Sequence, residues 1–149
     1  MSLHITINGK RLAAEPGEFV LDVARRAGIE IPTICDHKAL EPFGSCRLCM
    51  VEVTKPAWKG WKGLMTACLY PVSDGLIVET DSERVRHVRR NVVDLLLARC
   101  PDSEAVQRMA AEQGVTESSF TQRPDPDLCI LCGLCTRICE TAATSAITT

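Results

Sequence analysis

Eight of the nine cysteines in this chain fall into two sets of four, and closely spaced thiolates are the ligand chemistry of iron–sulfur clusters. Cys35, Cys46, Cys49 and Cys68 form C-x10-C-x2-C-x18-C, with three thiols near one another and one arriving later, as a [2Fe–2S] site needs. Cys129, Cys132, Cys135 and Cys139 form C-x2-C-x2-C-x3-C, the run associated with a cubane [4Fe–4S] cluster. Bridging sulfides leave two outward positions on each iron of a [2Fe–2S] unit and one on each iron of a cubane, so four thiolates complete either. Calcium and magnesium would require oxygen-rich sites instead. Two residues between cysteines let the chain curl so that both sulfurs face one centre, while backbone N–H groups turn toward the sulfides and tune the potential. Two such sites in a short chain suggest a wire rather than a catalyst.

Rival chemistries are narrowed by the same residues. Cys35-Asp36-His37 is a C-x-H that could open a Rieske site, but the second pair ends in Cys49 where a Rieske centre has histidine. His37 then reads as a hydrogen-bonding loop residue, and His4 and His87 as exposed bystanders. Zinc on four cysteines is the rival for the second set. The fourth ligand of that set is open, because in two-cluster ferredoxins the last cysteine of such a run binds the other cubane and no second run follows here. Cys139 closing the cluster, Cys100 swinging in, or a ligand missing from a shortened chain are the three solutions, with Cys139 preferred. Cys100 otherwise reads as a small buried apolar group at a helix end.

The elements that must hold these thiols can be read on either side of them. Leu3, Ile5 and Ile7 alternate with polar neighbours, and Asn8-Gly9 is a strong hairpin signal, so Lys10 to Ala14 return as a second strand. Val20, Val23, Ala24 and Ala27 recur at helical spacing, with Gly28 as the stop. Pro32 starts extended chain, and the segment from Cys35 to Cys49, with Pro42 and Gly44, reads as a cage without periodic structure. Val51 and Val53 define a strand, and Leu76 to Val78 another. Both tryptophans and three lysines fall between Lys55 and Gly63, which reads as a hairpin shielding the cage from water, with a partner-binding flap as the rival.

Thr80-Asp81-Ser82-Glu83 is a capping box for a helix reaching about Arg99, with Val85, Val88, Val92, Leu95 and Leu96 on its apolar face. Arg84, Arg86, His87 and Arg90 take the opposite face, read as solvated surface rather than a dock for an acidic partner. A second helix follows, capped by Asp102 or Ser103, with Val106, Met109 and Ala110 inward and Gly114 at its end. Residues 115–126 are expected to be irregular. The predicted fold class is α+β: a β-grasp [2Fe–2S] ferredoxin domain over 1–80, then a helical linker and a small [4Fe–4S] ferredoxin-like module within 81–149. Each unit is near the lower size limit for a self-sufficient apolar core, so loss of iron should unfold at least the C-terminal one.

Composition excludes several classes. The formal net charge is −2, with no basic tail or acidic block, which gives no reason to expect nucleic acid or an anionic membrane as partner. The start, Met-Ser-Leu-His-Ile-Thr-Ile, has no charged and then apolar signal region, and the stretch around Val92 to Ala98 is far shorter than a bilayer span. A cytoplasmic protein with reduced, metal-binding thiols is the expectation. No G-x-G-x-x-G, P-loop or nucleophile–base set is present, so nicotinamide binding and bond chemistry are not expected of the chain alone.

The arrangement resembles the iron–sulfur N-terminal region shared by the large iron–sulfur subunit of respiratory complex I, iron-only hydrogenases, NAD-dependent formate dehydrogenases and the small diaphorase subunit of NAD-reducing hydrogenases. The likeness runs from Cys35 through Ser45-Cys46-Arg47-Leu48-Cys49-Met-Val-Glu-Val53, past Cys68 and Leu95-Leu-Leu-Ala-Arg-Cys-Pro101, to the run from Cys129 to Glu140. It implies an electron-relay subunit without a catalytic site, in a hetero-oligomer with flavoprotein or metal-containing oxidoreductase subunits. A free, diffusing ferredoxin-like carrier is the alternative. The resemblance also implies low potentials, about −400 mV for plant-type ligation. Two departures stand out. Relatives place a His-Pro and three cysteines after the Leu-Leu-Leu helix for an extra cubane, whereas here Cys100 takes the histidine position, Glu104 that of the next ligand, and the others are absent. Many relatives also continue into a second cubane motif that this chain lacks.

Overall fold

A computed structural model describes residues 2–122, 128–142 and 145–147. Strands β1 (Leu3–Ile7) and β2 (Lys10–Ala14) pair antiparallel with Ile7 opposite Lys10. The two-residue turn between them puts both Asn8 (φ +50°) and Gly9 (φ +78°) in the left-handed region, as a type I′ hairpin requires. Helix α1 (Val20–Arg26) follows and buries Val20, Leu21, Val23 and Ala24. Beyond the cage come β3 (Met50–Thr54), β4 (Gly63–Thr66) and β5 (Ile77–Glu79), completing a mixed sheet in the order β2-β1-β5-β3-β4. The central β1–β5 pair is parallel, and the others are antiparallel. The hairpin tip is tied to the end of β5 by reciprocal bonds: Asn8 Nδ2 donates to Thr80 Oγ1 (2.7 Å) and Thr80 N donates to Asn8 Oδ1 (2.9 Å). This is the α+β, β-grasp arrangement expected from the sequence.

β4 carries no strand signal in the sequence, and it changes the reading of the tryptophan segment. A hairpin is found, but Met50 pairs with Thr66 at one end and Val53 with Gly63 at the other. Cys49 and Cys68 flank the first end, whereas the loop carrying Trp58 and Trp61 leaves the second, about 10 Å away along the strands. The tip thus leaves the hairpin at the end opposite Cys49 and Cys68, and Trp58 folds back onto the sheet core that includes them. The two indoles pack edge to face at 5.3 Å, with Trp58 against the sheet core and Trp61 exposed.

Helix α2 (Glu83–Arg99) begins at Ser82, whose hydroxyl accepts from Val85 N, and it packs on β3. That contact buries Glu52 on the face a half-buried strand would leave wet, and its carboxylate pairs with Lys62 (3.3 Å) and Arg84 (3.2 Å). Of the predicted face of α2, Val85 is buried and Val92 and Leu96 pack on the second apolar cluster, but the fully buried line also takes in Arg89, Val93, Leu97 and Ala98, and Leu95 is 54% exposed. Arg89 explains the shift: a purely apolar count discards it, yet it is only 5% exposed because it meets backbone carbonyls at the cage exit. Helix α3 (Glu104–Glu112) folds back against α2, joining Val106 and Ala110 to Leu48, Val93, Leu97 and Cys100 in a second apolar cluster. Asp94 accepts from the Ser118 hydroxyl (2.6 Å) and the Ser119 amide (2.9 Å), which holds the irregular segment after α3 on α2. Helix α4 (Leu134–Thr141) is the last element among the described residues.

Candidate metal centres

The first set of thiols is gathered by the sheet and α2 from three directions. The cage between Ile34 and Cys49 has no regular element, as expected. Gly44 adopts φ +70°, and a Cβ there would fall 2.3 Å from Leu69 Cδ1 and 3.9 Å from Cys68 Sγ, so only glycine lets the loop close over the last cysteine. Arg47 also takes a left-handed conformation (φ +61°), which turns the chain between Cys46 and Cys49. Cys49 leads directly into β3 and Cys68 follows β4, so strand pairing fixes both. Behind them Arg89 donates Nε to Leu48 O (3.0 Å) and Nη2 to Met50 O (2.9 Å), satisfying carbonyls that the sheet leaves unpaired.

The four sulfurs come in two pairs. The Sγ atoms of Cys49 and Cys68 lie 3.4 Å apart, and Cys46 N donates to Cys35 Sγ (3.4 Å). Cys35, Cys49 and Cys68 are 0%, 1% and 2% exposed. The hydrogen bond between Cys49 and Cys68 lowers Cys49 to about 6 and raises Cys68. Burial acts to raise Cys35, but donation from Cys46 and Ser45 leaves it below the ordinary thiol value, whereas burial raises Cys46. Ser45 and Arg89 join this site without any spacing signal in the sequence that would reveal them.

These residues fit a binuclear cluster. Two thiolates on one tetrahedral metal, at about 2.3 Å each, stand about 3.8 Å apart, close to the separation of the Cys49 and Cys68 sulfurs. Among the described residues no three of His, Cys, Asp and Glu converge on a single-ion position, and a two-plus-two arrangement is what a [2Fe–2S] unit takes.

The second set is built differently. Leu131 (φ +54°) and Gly133 (φ +72°) bend the run twice before α4 begins, which places Cys135 in its first turn and Cys139 one turn on. At its start, Cys129 O accepts from Arg99 Nε (2.9 Å) and lies 3.5 Å from the Cys100 sulfur, at the C-terminal end of α2. At its end, Ala146 N donates to Cys139 Sγ (3.1 Å), the kind of amide-to-sulfur contact that a thiolate ligand uses. Cys129 and Cys135 are exposed, and Cys132 and Cys139 half-buried. Cys100 is fully buried, as expected of a helix-end thiol. His37 Nδ1 accepts from Ala39 N (3.2 Å), the loop role read from the sequence. Arg137, which no sequence pattern marks, reaches from α4 into the first cage.

A β-grasp sheet with four gathered thiols, followed by helices and a second cysteine run, defines a two-site iron–sulfur protein. Residues 1–83 match the 2Fe-2S iron-sulfur cluster binding domain and residues 123–144 the 4Fe-4S binding domain. The chain is 34% identical to an NADH-quinone oxidoreductase subunit of Rhizobium meliloti (strain 1021), with 93% of this chain and 18% of that protein covered. It is 33% identical to NADP-reducing hydrogenase subunit HndD of Solidesulfovibrio fructosivorans, over 97% of this chain and 29% of that one. Among solved structures it resembles a chain of the NAD+-reducing [NiFe]-hydrogenase in the H2-reduced state, with a TM-score of 0.83 and 31% identity over 99% of this chain and 70% of that one. The chain therefore belongs to the 2Fe-2S iron-sulfur cluster binding domain family and carries a 4Fe-4S binding domain as well. It spans less than a third of the length of these two curated relatives.

Proposed function

We propose that this chain is an electron-transfer subunit of a larger oxidoreductase. In this reading Cys35 and Cys46 hold one iron and Cys49 and Cys68 the other of a [2Fe–2S] cluster, with Cys129, Cys132, Cys135 and Cys139 holding a [4Fe–4S] cluster. Clusters of these kinds, when bound, accept and release electrons one at a time. The chain's own contribution is to fix the sulfurs, exclude water from the first set, and aim N–H donors at thiolates. The pairing of four gathered thiols, two of them in contact at 3.4 Å, is the observation that carries the reading.

The division at residue 80 between a [2Fe–2S] unit and a helical [4Fe–4S] unit is part of the proposal. So are a flavoprotein or metal-containing partner in a hetero-oligomer, the absence of a catalytic site in this chain, and a cytoplasmic location. Support comes from relatives that are named as subunits of NADH-quinone oxidoreductase and NADP-reducing hydrogenase. No helix among the described residues is long and apolar enough to cross a membrane. Affinity purification of the tagged chain from its native cell tests the reading: a flavin- or metal-containing oxidoreductase subunit should co-elute in fixed ratio. Recovery of the chain alone, iron-loaded and monomeric, would favour the diffusing carrier instead.

A further inference from the structure

Arg137 lies in the second cysteine run, on α4 between Cys135 and Cys139, yet its side chain belongs to the first cage. Nη1 donates to Cys35 O (2.7 Å) and Nη2 to Glu41 O (2.6 Å), while the guanidinium carbon sits 4.9 Å from the centre of the Phe43 ring. The partners lie 102 and 96 residues earlier in the chain. Both accepting carbonyls belong to irregular loop with no strand or helix to pair them. A planar fork that meets two carbonyls and one aromatic face is fixed in orientation as well as position, which a single point contact could not achieve.

We propose that Arg137 is a positioning residue that sets the separation and orientation of the two sulfur sets, an inference that rests on the relay reading above. The start of the second run is anchored separately, through Cys129 O to Arg99 and through Ile130, which packs against the second apolar cluster. α4 buries little of itself, with Thr136 its one buried residue. Without the guanidinium, the run stays attached only through Cys129 and Ile130, and the loaded module, its four cysteines held together by their cluster, can pivot about that attachment. The same cation stands beside the backbone of Cys35, where positive charge favours the reduced, more negative state of a centre bound there.

The test uses the full chain loaded anaerobically with both clusters, as wild type, R137K and R137A. Pulsed EPR of the fully reduced protein reads the dipolar coupling between the two centres, and a redox titration reads the potential of the [2Fe–2S] centre. Wild type should give one narrow coupling. R137K keeps the charge but not the fork, so its coupling should spread over a range of values while the potential holds. R137A should show the same spread together with a fall in potential. Should R137A fail to retain the second cluster, R137K decides, since all eight thiols and the charge are intact. Couplings in R137K that superimpose on wild type would overturn the inference while leaving the relay reading in place. A wild-type protein without any EPR signal would remove both.

Discussion

The two cysteine sets are similar in count and opposite in construction. Cys35, Cys49 and Cys68 are buried where a five-stranded sheet, a glycine-closed loop and Arg89 converge. Cys129 and Cys135 are exposed, on a bent run and one short helix with a single buried residue. The first set is held by long-range elements of the fold itself. In the second, ligands and fold have to be supplied together, because eight helical residues with so little burial cannot hold a conformation alone.

Iron removal should separate the regions most sharply. After chelation under reducing conditions, amides of β1, β3 and β5 should keep slow hydrogen exchange while those of α4 exchange at rates of unfolded chain. Equal loss in both would show that the sheet too depends on its cluster.

A smaller effect is expected at the support behind the first cage. Arg89→Met keeps much of the side-chain volume but strands the carbonyls of Leu48 and Met50, so unfolding should become easier by about 1–3 kcal/mol for the unsatisfied groups. Urea denaturation of the iron-free protein measures this directly, and a midpoint equal to wild type would show that water replaces the guanidinium.

The subtlest contrast is protonic. Because the hydrogen bond with Cys68 lowers Cys49, iron-free protein should contain a thiolate that titrates near pH 6, visible in ultraviolet absorbance. Below that pH the Cys49 thiolate is protonated; above it one proton remains between the two sulfurs. In Cys68→Ala the hydrogen-bond partner is gone and the midpoint should rise toward the ordinary thiol range of about 8.5. An unchanged midpoint would place the lowering elsewhere.

The readable parts of the chain are those with local signals. Asn8-Gly9 and the period of Val20, Val23 and Ala24 each act within a turn or two, and their elements form where expected, whereas α2 is capped by Ser82 rather than by the Thr80–Glu83 box, Thr80 being bonded to Asn8 instead. Cysteine spacing points to the first cage because strand pairing brings Cys49 and Cys68 together. Residues whose partners are remote leave no such mark. Arg89 and Arg137 look like surface cations in any local pattern, yet one faces carbonyls 39 to 41 residues away and the other carbonyls 96 to 102 away. The part of the inward face of α2 that a local reading misses, Arg89 with Val93 and Leu97, escapes it for the same reason. β4 escapes it because Gly63-Leu-Met-Thr66 is short and lacks alternation, and its strand character comes from pairing with β3.

Iron and acid-labile sulfide content, measured with low-temperature EPR on anaerobically purified protein, tests the central claim most directly. Two resolved centres and about six irons per chain are predicted. Zinc in place of iron, or a colourless protein that takes up no iron on anaerobic reconstitution, would contradict it.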